Sequence, residues 1–284
     1  MAEILKGAAV ADAICEAVKK DVAELNEKCV TPALAIVRIG ENSGDLAYER
    51  AAMKRAEKVG VKIESHAFSK EISEEEFLEN LRSICSDDSV HAVLMMRPLP
   101  AHINDAKARA VIPAAKDVDG CTDISMAGVF TGADIGYPPC TAAAAMEILH
   151  HYGVDPCGQR AVVIGRSLVI GKPVAMMLMK ENATVTNCHT KTKDVAALAR
   201  EADILIAAAG KLKSVTAEYI KPGQIVIDVG INWDEEKGGI AGDVDFESAE
   251  PVAGAITPVP GGVGSVTSSI LMKHTADAAK KSLR

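Results

Sequence analysis

A short apolar run, Ala161-Val-Val-Ile164, stops at Gly165. After Arg166-Ser167-Leu-Val-Ile170, a second glycine, Gly171, leads into Lys172-Pro173-Val-Ala-Met-Met-Leu-Met-Lys180. The run reads as a buried strand, and the segment after Gly171 as a helix with proline in its first turn, where a missing N–H costs little. Strand, glycine turn and helix in succession are how a parallel α/β sheet offers backbone N–H groups and a helix N-terminus to a phosphate. The spacing is G-x-S-x-x-x-G rather than G-x-G-x-x-G, so taken alone it also suits an ordinary strand-to-helix turn.

The chain around this stretch suits such a sheet. It has 284 residues, 48% hydrophobic and 25% charged, enough for one large or two medium domains with cores. Aromatics are only 3%, so those cores rest on Ala, Val, Ile, Leu and Met. The net charge of −8, with no basic stripe, argues against nucleic acid as a partner. Seven cysteines without a C-x-x-C pair read as reduced thiols in the cytoplasm, and no residues are assigned to a metal. No secretory pattern opens the sequence, and no apolar run has the length of a membrane span, so no membrane partner is expected.

Helical spacing of Val10, Ile14, Val18, Val22 and Leu25 predicts a helix over 7–28. Strands follow at Leu34–Ile39, Val61–Phe68 and Val90–Met96, and helices at 45–59, stopped by Gly60, and from the Ser73 cap to about Cys85. The middle of the chain is turn-rich, with a domain crossing around 125–150 and a helix at 142–152. Beyond 161–164, strands are expected at Thr184–Asn187, Ile204–Ala208, Ile225–Val229 and around Gly254–Ile256. Gly238–Asp243 reads as a loop or hairpin, and a last helix begins near Ser268. Strands alternating with helices predict a parallel sheet.

Several stretches then occur in a set order: Lys116-Asp-Val-Asp-Gly120, Pro139-Cys-Thr141, Val163-Ile-Gly-Arg-Ser167 with Val169-Ile-Gly-Lys-Pro173, Cys188-His-Thr-Lys191, Ile227-Asp-Val-Gly-Ile-Asn232, Gly242-Asp-Val244 and Ile256-Thr-Pro-Val-Pro-Gly-Gly-Val-Gly264. Together, over nearly the whole chain, they resemble the FolD family, methylenetetrahydrofolate dehydrogenase/methenyltetrahydrofolate cyclohydrolase. The resemblance implies an α/β protein of two domains with a cleft between them. An N-terminal α/β folate domain would span 1–140, joined by the last helix, 268–284, and a C-terminal Rossmann-type parallel sheet binding NADP would span 141–267. It also implies a tetrahydrofolate derivative as substrate and a homodimer.

On the cofactor side, Gly165 and Ser167 are expected to bring backbone N–H and hydroxyl donors to the phosphates. Arg166 and Lys191 place cations where a site for NAD commonly has a carboxylate, which suits the 2′-phosphate of NADP. By resemblance Thr190 and Ile231 also line this site.

On the substrate side, the resemblance assigns Asp119 to the pterin ring, although an Asp in D-x-D-G can also serve as a turn cap. Tyr48 matches the family tyrosine near the folate, and Pro260, Gly261 and Gly262 match the loop that lines the cleft. The family's Tyr-x-x-x-Lys becomes Tyr48-Glu-Arg-Ala-Ala52, and its glutamine loop becomes Met96-Arg97-Pro98-Leu99-Pro100. Ser265 stands where the family has proline. Lys54 falls about 200° around the helix from the lysine position, whereas Arg55 lies near the tyrosine face. Loss of lysine and glutamine removes a general acid/base and its partner from hydrolysis, while hydride transfer chiefly needs positioning. The expected activity is therefore NADP-dependent oxidation of methylenetetrahydrofolate with little cyclohydrolase. Alternatives are a dehydrogenase of the same fold on another small substrate, or a non-catalytic folate or nucleotide sensor.

Overall fold

The computed structural model describes residues 1–283. Its strands are β1 Glu3–Ile4, β2 Ala33–Ile39, β3 Lys62–Phe68, β4 Ala92–Met95, β5 Arg160–Ile164, β6 Thr184–Cys188, β7 Ile204–Ala207, β8 Ile225–Asp228, β9 Asn232–Asp234, β10 Gly239–Ala241 and β11 Ala255–Ile256. Its helices are α1 Gly7–Glu27, α2 Ser43–Val59, α3 Glu74–Ser86, α4 Asp105–Val111, α5 Asp123–Thr131, α6 Cys140–His151, α7 Gly171–Lys180, α8 Val195–Glu201, α9 Phe246–Ala249 and α10 Thr267–Ser282. The chain divides into two compact units, one of residues 13–140 with 268–284 and the other of residues 1–12 with 141–267. None of the helices among the described residues is long and apolar enough to cross a membrane.

In the unit built on residues 13–140, three parallel strands lie in the order β3-β2-β4. The central strand β2 is buried almost throughout, as a parallel strand covered on both faces must be, while β3 alternates exposed and half-buried positions at the sheet edge. Ala35, Val37 and Ile39 of β2 pack in one core with Phe77, Leu81 and Ile84 of α3. Ser73 caps α3 by accepting the Glu76 N–H, as its sequence position predicts. Two helices escape the sequence reading. One, α4, is seven residues long. The other, α5, has apolar residues all round, and Ile124 and Phe130 are exposed, so no helical periodicity marks it.

The second unit carries six parallel strands in the order β1-β11-β8-β7-β5-β6, with β9 and β10 forming an antiparallel hairpin. Strand order reverses beside β5, which pairs with β6 on one side and β7 on the other. At such a switch point the loops leaving the strand carboxyl ends part and leave room for a ligand. Helix α7 packs on β5 and β6.

The first twelve residues, read from sequence as part of the N-terminal domain, sit in this second unit. Strand β1 pairs with β11, and the Gly7 N–H donates to the Gly261 carbonyl at 2.8 Å. A two-residue strand has no periodicity to read; its place is decided by a partner some 250 residues away. A Cβ on Gly7 would stand 2.1 Å from the Gly262 carbonyl oxygen, so this glycine permits the close approach of the loop. Gly7→Ala should therefore cost about 1–3 kcal/mol, the usual range for overpacking, read from urea unfolding. Unchanged stability would show that the Gly261–Gly262 loop yields freely.

Candidate active site

Functional side chains collect at the carboxyl ends of the strands in each unit. In the three-stranded unit, α2 follows β2 and carries Tyr48, Met96 follows β4, and Asp117 bridges Val93 alongside β4. The two carboxylates of Asp117-Val-Asp119 have different tasks. Asp117 is fully buried and accepts the N–H groups of Cys121 (2.9 Å) and Thr122 (2.8 Å), so it is the turn cap. Asp119 is half-buried as a residue, with its carboxyl end the deep part.

Burial pushes the Asp119 carboxyl up to about 6, and Asp117 adds to the rise; the Cys140 thiol and backbone N–H and the Arg97 charge oppose it. The Tyr48 phenol lies beside Asp119 and is held well above its ordinary value, first by burial and then by the Asp119 charge. Cys140 has no assigned role in the sequence reading. Its thiol is buried, donates to the Val118 carbonyl oxygen at 3.4 Å, and stands close enough to Asp119 to favour that carboxyl's ionised form. Its pKa is raised well above that of a free thiol, mainly by burial, so it acts as a donor and not as a thiolate. His274 of α10 reaches the same Val118 carbonyl at 2.8 Å. Only the tertiary fold brings residues 118, 140 and 274 together, so local sequence carries no signal for this group.

The positions that differ from the family pattern are also clear. Ala52 is 0% exposed and packs on the face of α2 that also buries Glu49, Ala56 and Val59. Met96 is buried at 5% exposure. Arg97 makes two bonds to Asp105, Nε to Oδ1 at 2.6 Å and the second nitrogen to Oδ2 at 2.8 Å. Arg109 holds the same carboxylate from the other side at 2.9 Å. Arg55 donates to Ser268 Oγ at 3.3 Å and to Cys15 Sγ at 3.5 Å. Both arginines on the substrate side are thus engaged by partners within the unit.

In the six-stranded unit, a pocket of about 440 Å³ opens beyond β5 and β7, lined among others by Gly165, Arg166, Ser167, Thr190 and Lys211. A Cβ on Gly165, at φ +130°, would stand 2.0 Å from the Ala208 carbonyl oxygen. Contrary to the expectation from sequence, Gly165 does not offer its N–H to a phosphate. That N–H donates to the Cys188 carbonyl at 2.9 Å, continuing the β5–β6 pairing by one residue, so Gly165 contributes close approach and not a donor. Ser167 Oγ accepts the Ile170 N–H at 3.2 Å, and its own O–H remains a donor. Lys191 is exposed and stands outside the pocket lining, its N–H turned to His189 Nδ1. The lining cation that the sequence reading missed is Lys211.

A second pocket of the same unit, about 270 Å³, lies beyond β8 and β11. Gly230 and Ile231 form one wall, and Pro260, Gly261 and Gly262 belong to the other. Ile231 is 68% exposed, an apolar side chain kept open on this wall.

These features define a class: a Rossmann-type α/β nucleotide-binding protein with a second α/β unit built around a deep carboxylate. Residues 5–119 match the model of the tetrahydrofolate dehydrogenase/cyclohydrolase catalytic domain, and residues 139–283 match that of the NAD(P)-binding domain of the same family. The bifunctional protein FolD of Alkaliphilus oremlandii is 49% identical over 99% of this chain and 98% of its own length. Among solved structures, the FolD enzyme of Campylobacter jejuni superposes with a TM-score of 0.96 at 38% identity, covering 99% of both chains. The Trypanosoma brucei FolD, solved with NADP cofactor and inhibitor, gives 0.93 at 36% identity, covering 100% of this chain and 99% of its own. The chain belongs to the tetrahydrofolate dehydrogenase/cyclohydrolase family.

Because the Cys140 thiol stabilises the ionised form of Asp119, Cys140→Ala should move the Asp119 titration upward from about pH 6. Carbon NMR of labelled aspartate carboxyls follows it directly, and a downward move would mean that the thiol does not act as a donor.

Proposed function

We propose that the protein oxidises 5,10-methylenetetrahydrofolate to 5,10-methenyltetrahydrofolate with NADP, and hydrolyses the methenyl product only weakly. The observation that carries the first half is the deep Asp119 carboxyl beside Tyr48 in a chain of this family. A carboxylate accepts two N–H donors from an aminopyrimidinone edge, which fixes the pterin in one orientation. Tyr48 packs beside it, and the Arg97 charge acts on the same carboxyl. Oxidation removes a hydride from a carbon between two nitrogens; a nitrogen lone pair stabilises the cation left behind, so the chain's task is alignment.

NADP, when bound, is the acceptor of that hydride. The residues suit it: Gly165 leaves the gap that a backbone-hugging pyrophosphate needs, and Arg166 and Lys211 put cations at the first pocket. Ser167 donates its hydroxyl, Thr190 flanks the ribose, and Ile231 lines the nicotinamide half, while Lys191 stands outside the lining. On this reading residues 13–140 with the last helix bind folate, and 141–267 with the first strand bind the nucleotide. The protein works as a homodimer in the cytoplasm, without nucleic acid or membrane.

The observation behind weak hydrolysis is Ala52. Attack by water on the methenyl cation needs a base and later a proton donor to a ring nitrogen. A methyl side chain supplies neither. Arg97 and Arg55 stay protonated, so they cannot serve as a base, and a cation near the substrate repels another cation.

Four outcomes are expected. Arg166→Ala should weaken NADP by about tenfold more than NAD, as expected for loss of a phosphate-pairing cation; equal losses would remove Arg166 from 2′-phosphate reading. Folate affinity should fall as pH drops through about 6, where Asp119 gains a proton and stops accepting two donors, and Asp119→Ala should abolish turnover while sparing nucleotide binding. A flat affinity between pH 5 and pH 8, assayed by calorimetry, would reject the anchor. Finally, methenyl decay should run near its uncatalysed rate with the unmodified protein and accelerate with the Ala52→Lys, Met96→Gln double variant. Efficient hydrolysis by the unmodified protein would sink the weak-cyclohydrolase reading.

A further inference from the structure

Behind both pockets of the nucleotide-binding unit lies one fully buried carboxylate, Asp243, at 0% exposure. Its Oδ2 accepts the Gly210 N–H at 2.8 Å, and its Oδ1 accepts the Lys211 N–H at 2.9 Å. Lys211 lines the first pocket. The same Oδ1 also accepts Asn232 Nδ2 at 2.9 Å, and Asn232 directly follows Ile231, which lines the second pocket. The backbone repeats the pattern. Asp243 N–H donates to Asp228 Oδ1 at 3.1 Å, the oxygen that also takes the Gly230 N–H at 2.9 Å. The Asp243 carbonyl accepts the Val215 N–H at 2.9 Å, and the Gly242 carbonyl accepts the Lys213 N–H at 3.1 Å. One residue thus ties the loop leaving β7 to the loop leaving β8.

A buried carboxylate satisfied by three donors from two loops is a stiff joint, because moving either loop leaves charge or donors unpaired in a dry interior. Stiffness matters for a ligand with two heads. When one molecule fills two pockets, the second contact is intramolecular, and its benefit is lost if the spacing is wrong. We propose that Asp243 is a positioning residue that sets the spacing of the two pockets, so that a single dinucleotide occupies both. The inference rests on the nucleotide reading above.

Asp243→Asn tests it at constant volume. An amide has one acceptor oxygen, so it cannot serve Gly210 on one side and Lys211 with Asn232 on the other. Calorimetry on the full chain compares NADP with adenosine 2′,5′-bisphosphate, which fills only the adenosine half. The Kd for NADP should rise by about tenfold, the size of one lost charge-assisted bond, while that for the half-ligand changes by less than about threefold. Equal losses for the two ligands, or none, would overturn the proposal. Should Asp243→Asn fail to fold, Asn232→Ala, which removes one arm only, must show the same preference for harming NADP, and its absence would likewise overturn the proposal. Failure of the unmodified protein to bind NADP would instead reject the nucleotide reading.

Discussion

In both units the main sheets are parallel, and that constraint organises everything functional. Parallel strands need crossover connections, so their carboxyl ends all open on one edge, where the chain turns away and backbone groups leave the ladder. Tyr48, Met96 and Asp119 arise from such turns in one unit, and Gly165, Lys211, Ile231 and the Pro260–Gly262 loop in the other. The turn after β5 shows how tight the constraint is. Gly165 keeps its N–H in the sheet and passes 2.0 Å, by the measure of an added Cβ, from the Ala208 carbonyl oxygen. Any side chain there would force β5 and β7 apart at the mouth of the pocket.

Charge burial is used in two ways. Asp117, Asp228 and Asp243 are buried and surrounded by backbone N–H groups, so they hold loops in place. At Asp119, Cys140 and the Arg97 charge only partly offset burial, which carries the carboxyl up to about 6. A carboxyl held above its ordinary range by burial gains from a ligand that brings two N–H groups, which is the physical link between its raised pKa and its proposed role. Asp228 is also raised to about 6, chiefly by burial, yet three backbone N–H groups already bond it, and so it reads as scaffold.

The family's acid/base lysine position shows what one substitution does to a packed helix. Ala52 lies between Glu49 and Ala56 on the buried face of α2. Ala52 is fully buried there, and Glu49 accepts from Arg38 (2.8 Å) and Ser65 (2.7 Å). Arg97, new to its loop, is drawn into a two-point pair with Asp105 that fastens the start of α4. Ala52 and Met96 are packed into the unit and Arg97 is paired within it.

Much of this was legible in the sequence, for a local reason. Strand and helix periodicity, the Ser73 cap and the glycine turn after β5 are set by residues a few positions apart, and the ordered motifs marked the family. Other features needed partners distant in sequence. The place of β1 depended on β11, the donor role of Cys140 on the Val118 carbonyl, and the hold on the Lys211 backbone on a carboxylate at residue 243. The division between Asp117 as cap and Asp119 as the deep carboxyl was likewise open in the sequence, because both sit in the same D-x-D-G. Hydrogen-bond satisfaction and burial separate them, and those belong to the tertiary structure alone.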